Sequence, residues 1–342
     1  MKASFIEQHG GPEVIQFGNQ PEPITGPGQV KIRVRCAAVN RLDLYTRAGV
    51  RGQRKTFPPA HILGGDCSGQ IVEIGKGVGN ERIDQRVLVN PLIDNWHHHM
   101  LRSNNKPRFQ FIGSDLQGSY AEYLVVNSEN VHVIDNAISF EEAASIPTVF
   151  LPVWNMLCNK TKLQPWETVL VLSASSGVGS AAIQVAKNII GATVIATTSD
   201  NFKLTKAKNL GADHVINYNQ EDILSEVKSL TNGKGVDVVV DHVAGKFFKP
   251  ALASLKPNGR YGNCGVTDGY EVSLQMGLIF TKQISIHGIF MGTNIDMDRI
   301  VTLLNLGKLK AIIERSFPLK MAGAAHERLT KRNVFGKILL TI

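Results

Sequence analysis

From Val169 to Gly288 the chain alternates short apolar runs with segments of helical period, and very few folds accept that pattern. Val169-Leu170-Val171-Leu172 reads as a buried strand, and 177–190 as a helix stopped by Gly191. Thr193-Val194-Ile195-Ala196-Thr197 is a second strand, followed by a helix over 203–210 that stops at Gly211. His214-Val215-Ile216-Asn217-Tyr218, 236–240, Arg260-Tyr261-Gly262 and Ile284-Ser285-Ile286-His287-Gly288 supply four more strands, with a helix over 222–230. Strands that are apolar throughout must be covered on both faces, which a parallel sheet with helices on each side achieves. The expectation is an α/β domain with a doubly wound parallel sheet.

The preceding residues follow another rule. Lys31-Ile32-Arg33-Val34-Arg35 alternates like a half-buried strand, and Ile71-Val72-Glu73-Ile74-Gly75, 86–89 and 122–126 add others between Gly and Pro. This predicts a second, β-rich domain, to which the ending Gly336-Lys337-Ile338-Leu339-Leu340 returns one strand. A chain of 342 residues is expected to hold two cores. The sequence divides them as 1–127, completed by 292–342, and 128–291.

Composition excludes several classes. With 43% hydrophobic and 19% charged residues the chain is globular rather than disordered. No apolar stretch is long enough to span a bilayer, and Met1-Lys2-Ala3-Ser4-Phe5 lacks the apolar core of a secretory signal, so a cytoplasmic protein is expected. Cys36, Cys67, Cys158 and Cys264 show no CxxC spacing, which points to reduced thiols rather than a disulfide framework or compact zinc module. The net charge of +8 is scattered, with no basic tract interleaved with aromatics. A solvated surface is the reading, with neither nucleic acid nor membrane as a partner.

Between the first strand and first helix of the wound domain stands Ala174-Ser175-Ser176-Gly177-Val178-Gly179. Small residues there let the backbone approach a pyrophosphate that rests on the helix N-terminus. Against G-x-G-x-x-G only Gly179 is strictly retained, yet the strand–loop–helix setting makes dinucleotide binding the reading. The second strand ends in Thr198-Ser199-Asp200, followed by Lys203. An acid at Thr198 would repel a 2′-phosphate; small hydroxyls beside Lys203 favour NADPH, with NADH the alternative if Asp200 reaches the ribose rather than capping the next helix.

Val39-Asn40-Arg41-Leu42-Asp43-Leu44-Tyr45, Leu63-Gly64-Gly65-Asp66-Cys67-Ser68-Gly69, Gly118-Ser119-Tyr120-Ala121-Glu122-Tyr123 and Ala143-Ala144-Ser145-Ile146-Pro147 belong to one larger pattern. With 171–179, 210–218, 235–241 and Gly336-Lys337, they resemble the medium-chain dehydrogenase/reductases, especially the quinone oxidoreductases and zinc-free alcohol-dehydrogenase-like enzymes. The resemblance implies a GroES-like first domain and a Rossmann second domain. It implies cofactor contacts at Tyr218, Asp241, Gly265, Phe290 and Lys337 besides the loop and strand-end residues. It also implies a homodimer or homotetramer paired through the edge at 284–290.

Zinc-dependent members bind catalytic metal at positions that correspond here to Asn40, Gly65 and Thr148, a set lacking the thiolate and imidazole donors zinc prefers. The structural zinc loop falls near 95–108, which has no cysteine; His97-His98-His99 reads as an exposed polar tract. A metal-free site must stabilise charge on the substrate oxygen by hydrogen bonding, which favours quinones and enones over simple ketones. The resemblance assigns Tyr45 as hydrogen-bond or proton donor, Asn40 as an orienting group and Thr148 as a contact of the nicotinamide ring. Asp43 is expected to hold the loop, and Arg51 stands where some members carry a further tyrosine. The expected activity is NADPH-dependent reduction of a quinone, enone or aldehyde. The alternatives are a zinc-type alcohol dehydrogenase and an NADPH-binding regulatory or RNA-binding protein.

Overall fold

A computed structural model describes residues 1–94, 109–331 and 334–342. The chain forms two compact units. The first comprises Met1–Thr148, Met297–Asn305 and Lys310–Ile342; the second comprises Val149–Asp296 and Leu306–Leu309. The division falls at 148 rather than 127. Strand Val131–Val133 pairs with Arg86–Val89, and the short helix Phe140–Ala144 packs on the same sheet, which keeps 128–148 with the first unit.

In the first unit the long strand Gln29–Val39 is central. It pairs antiparallel with Asp66–Ile74 on one side and, along successive parts of its other side, with Tyr123–Asn127 and the C-terminal strand Lys337–Thr341. Ile32, Val34, Ile71, Val87, Leu124, Ile338 and Leu340 fill the core. Two registers matter for function. Ile338 faces Val39, so Lys337 lies beside the chain where it leaves the strand at Asn40. Ala38 faces Asp66, which brings that carboxylate to the same end. Gly336 makes the approach possible: its φ is +100°, and a Cβ there would strike the Ile312 carbonyl.

The second unit is the doubly wound domain. Six parallel strands run in the spatial order His214–Asn217, Thr193–Thr198, Thr168–Val171, Val236–Asp241, Leu255–Asn263, Ser285–Gly288. In chain order this is 3-2-1-4-5-6, the Rossmann arrangement, whose crevice lies outside the carboxyl ends of the paired strands 1 and 4, where the strand order reverses. The helix after strand 1 spans Gly177–Gln184, continues as a wider turn over Val185–Ile190, and stops at Gly191 with φ +88°. Asp200 caps helix Asn201–Asn209 by accepting from the Lys203 amide at 2.9 Å. Ser285–Gly288 closes one edge of the sheet, and Ile286, Phe280 and Phe290 are exposed nearby. Among the described residues no helix is long and apolar enough to cross a membrane.

Candidate active site

In the second unit, the chain leaves strand Thr168–Val171 and turns through Ser173, at φ +54°, into the helix at Gly177. Ser176 holds the turn. Its Oγ donates to the Ser173 carbonyl at 3.0 Å and accepts from the Gly179 amide at 2.8 Å. Ser176 Oγ is also hydrogen bonded to His242 Nε2 at 2.6 Å. His242 follows the fourth strand directly, so this bond ties the two strand ends at the switch point. A Cβ on Gly179 would lie 2.9 Å from Ala174 Cα and press on the Ser173 carbonyl. Ala174 and Gly179 are buried, while Ser175, Ser176, Gly177 and Val178 are partly exposed. The result is a narrow cradle at a helix N-terminus whose first amides lack intrahelical partners, which fits a dinucleotide pyrophosphate.

The neighbouring strand end divides its hydroxyls between interior and surface. Thr198 is only 1% exposed, and its buried hydroxyl has no hydrogen-bond partner among the described residues. Ser199 and Asp200 are partly exposed instead, and both hold Lys203, whose Nζ lies 3.1 Å from Ser199 Oγ and 3.0 Å from Asp200 Oδ2. Tyr218 is partly exposed and packs edge-on against Phe247. Asp241 is fully buried and used within the protein. It accepts from the amides of Val243 and Ala244, from Tyr261 Oη at 2.6 Å and from Asn263 Nδ2 at 3.1 Å. These bonds make Asp241 a support for the turn carrying His242. A Cβ on Gly265 would come within 2.7 Å of the His242 carbonyl, so that glycine serves the same turn. Phe290 is 56% exposed, near the sheet edge.

In the first unit four polar side chains from distant parts of the chain converge. Asn40 Nδ2 donates to Asp66 Oδ2 at 3.0 Å. The Thr148 amide donates to Asp66 Oδ1 at 3.1 Å, and its hydroxyl lies 2.7 Å from Asn40 Oδ1 and 2.5 Å from Asp66 Oδ2. Lys337 Nζ donates to Asn40 Oδ1, to Asp66 Oδ2 at 3.2 Å and, at the limit of a hydrogen bond, to Thr148 Oγ1 at 3.5 Å. Asn40, Asp66, Thr148 and Lys337 thus form one hydrogen-bonded group. Asp66 was not singled out from sequence. The available signal was an acid opening the small-residue run Cys67-Ser68-Gly69, whose residues are all buried.

Beneath Asn40 lies a second network. Arg47 Nη1 donates to His326 Nδ1 at 3.2 Å, which places the ring proton on Nε2. That nitrogen then donates to Tyr120 Oη at 3.3 Å, and the Tyr120 hydroxyl donates to Asp43 Oδ2 at 3.1 Å. Asp43 also accepts from the Asn40 amide at 2.7 Å, so it does hold the loop. Burial pushes the Asp43 carboxyl up to about 7 against the pull of that amide, with the Asp66 charge adding to the rise. Burial, with the Arg47 charge, lowers His326 to about 3, so the ring is neutral.

Tyr45 stands apart from both networks. Its hydroxyl accepts from Arg51 Nη1 at 2.7 Å, and the Arg51 guanidinium stacks 4.3 Å from the ring centre.

The residues at the zinc-ligand positions do not suit the metal. Gly65 offers no donor, and a Cβ there would lie 2.6 Å from Phe111 Cε1. Asn40 and Thr148 are bound to one another and to an ammonium, a cation that repels a second one. His97-His98-His99 lies outside the described residues.

Residues 26–136 match the alcohol dehydrogenase GroES-like domain, and residues 177–305 match the zinc-binding dehydrogenase domain. A 2-haloacrylate reductase of a Burkholderia species is 27% identical over 99% of this chain and 98% of its own. The crystal structure of an NAD-dependent alcohol dehydrogenase is 38% identical, with a TM-score of 0.93 over the whole of both chains. A quinone oxidoreductase of Pseudomonas syringae superposes at TM-score 0.84 with 28% identity, covering 100% of this chain and 99% of that one.

Proposed function

The chain belongs to the medium-chain dehydrogenase/reductase superfamily and is an oxidoreductase, and we propose that it moves hydride from NADPH to a quinone or an α,β-unsaturated carbonyl without zinc. One observation carries this reading: where zinc ligands would stand, Asn40 and Thr148 are hydrogen bonded to each other and to the Lys337 ammonium. A bound reduced nicotinamide supplies the hydride. The protein's part is to orient the acceptor and stabilise charge on its oxygen. Asn40 and Thr148 form a fixed polar group at one end of the central strand that can orient the acceptor, and Tyr45 supplies a hydroxyl. Acceptors whose added electron pair spreads over a conjugated system need the least electrophilic help. The relatives named as reductases of an acrylate and of a quinone agree with that class.

For the cofactor, Ser199 and Lys203 favour the 2′-phosphate. NADH is the second reading, because Asp200 neutralises Lys203 at 3.0 Å and the Thr198 hydroxyl is buried. Assembly follows from the exposed edge strand Ser285–Gly288, whose unpaired backbone groups suit pairing with a second copy. The deciding experiment follows NADPH and NADH oxidation with a quinone, an enone and a simple ketone, alongside elemental analysis for zinc. Turnover of the conjugated acceptors by zinc-free protein is expected. Activity confined to alcohols and aldehydes and lost on chelation would overturn the reading.

A further inference from the structure

Resting on that reading, we infer that Lys337 is a positioning residue for the reaction: paired with Asp66, it takes the organising place that a metal ion holds in zinc dehydrogenases and sets the orientations of Asn40 and Thr148. An ammonium only donates, so every oxygen facing it must offer a lone pair. Asn40 therefore turns Oδ1 toward Lys337 and Nδ2 toward Asp66, where Nδ2 donates at 3.0 Å, with the Ala38 carbonyl 3.4 Å away. A flipped amide would set NH₂ against ammonium and oxygen against carboxylate. Thr148 likewise turns a lone pair to Lys337, leaving its single hydrogen for Asn40 Oδ1 or Asp66 Oδ2.

The three hydrogens of Lys337 have three acceptors in Asn40, Asp66 and Thr148. It therefore acts through its neighbours and does not itself touch the acceptor molecule. Its side chain is 6% exposed and that of Asp66 is 0% exposed, so solvent cannot substitute for either charge. The backbone delivers this arrangement through Gly336 and the pairing of Ile338 with Val39. A cofactor contact by Lys337, the role implied by its Gly-Lys motif, makes the opposite experimental demand, because cofactor affinity would then depend on the ammonium.

The test compares wild type with Lys337→Met, Lys337→Arg and the neutral pair Lys337→Met/Asp66→Asn. NADPH affinity is read by fluorescence titration, and kcat and KM are read with a quinone and an enone. The expected result for Lys337→Met is a kcat lower by about 10²-fold, with the NADPH Kd held within about twofold. Lys337→Arg should recover part of the loss. Should Lys337→Met fail to fold, the neutral pair, which leaves no charge unpaired, should still show the fall in kcat. Full kcat in the neutral pair overturns the inference. So does an NADPH Kd raised about tenfold or more with kcat unchanged, which identifies a cofactor contact. If wild type reduces neither acceptor, the functional reading fails by itself, and the same kcat and Kd ratios are read on alcohol oxidation.

Discussion

Lys337 Nζ lies 3.2 Å from Asp66 Oδ2, an ion pair between residues 271 positions apart whose side chains are 6% and 0% exposed. Burying two charges is costly, and removing one partner leaves the other uncompensated. Lys337→Met should therefore destabilise the protein by about 3–5 kcal/mol in urea unfolding. The double variant Lys337→Met/Asp66→Asn should regain most of that loss. A single variant as stable as wild type would mean that the pair contributes nothing to folding.

Asp43 and His326 predict opposing pH terms. The Asp43 carboxyl is raised to about 7 in the folded protein, from about 3.9 when unfolded. Its contribution to stability is complete below the unfolded value and is lost as pH rises through about 7. His326 is lowered to about 3, from about 6.5 unfolded. Its contribution is present above the unfolded value and is lost as pH falls toward about 3. Between about pH 4 and 6.5 the two slopes oppose one another. Asp43→Asn leaves the histidine term, so stability should climb with pH by up to ~1.4 kcal/mol per unit more steeply than in wild type. His326→Gln should tilt the curve the other way. Parallel curves for all three proteins, from urea midpoints across the window, would rule out these protonation states.

The wound sheet is legible because its first two strands are short, largely apolar runs and the helices that follow them end at Gly191 and Gly211. The cradle is legible as a turn of small residues set between a buried strand and a helix start. The boundary at 148 is not, because pairing of Val131–Val133 with Arg86–Val89 is a long-range choice that a three-residue strand does not announce. Nor is the grouping around Asn40, since strand register alone carries Lys337 and Asp66 to it. His326 gives no sequence signal; it is a lone histidine in a helix 279 positions from Arg47. Thr198 shows the converse, a residue correctly placed at the strand end whose side chain turns inward.

Gly179 sets the closest approach of helix to strand, with Ala174 Cα 2.9 Å from where a Cβ would lie. Gly179→Val should abolish NADPH binding, because the helix must retreat from the Ser173 turn and carry its amides away from the pyrophosphate. Titration of cofactor fluorescence checks this, with circular dichroism to confirm a folded variant. Undiminished affinity would put the pyrophosphate elsewhere.

Asp200 restrains Lys203 at 3.0 Å and would stand close to a 2′-phosphate bound there. Asp200→Asn frees the ammonium and removes a like charge, so the NADPH-to-NADH affinity ratio should rise by about tenfold. Lys203→Met should lower the same ratio. Because Thr198 is buried, these two positions test coenzyme choice more directly than a substitution at 198. Equal ratios in both variants would remove the strand end from cofactor selection.

Tyr45 accepts a hydrogen bond from Arg51 at 2.7 Å and carries the guanidinium against its ring at 4.3 Å. The phenol's own hydrogen is therefore left for another acceptor, and the adjacent positive charge steadies negative charge arising on that acceptor's oxygen. If that oxygen belongs to the substrate, the bond strengthens as hydride arrives and matters more in the transition state than in binding. Tyr45→Phe should then lower kcat and kcat/KM together with an enone, by about 10²-fold if the phenol acts as general acid. Arg51→Met should act in the same direction but more weakly, since it removes the support and leaves the donor. NADPH affinity should barely change in either, because the ring remains and the cradle is untouched. Steady-state kinetics with an enone and a quinone decide the matter. Full kcat in Tyr45→Phe with both would make Tyr45 a packing residue and leave proton delivery to water or to Thr148.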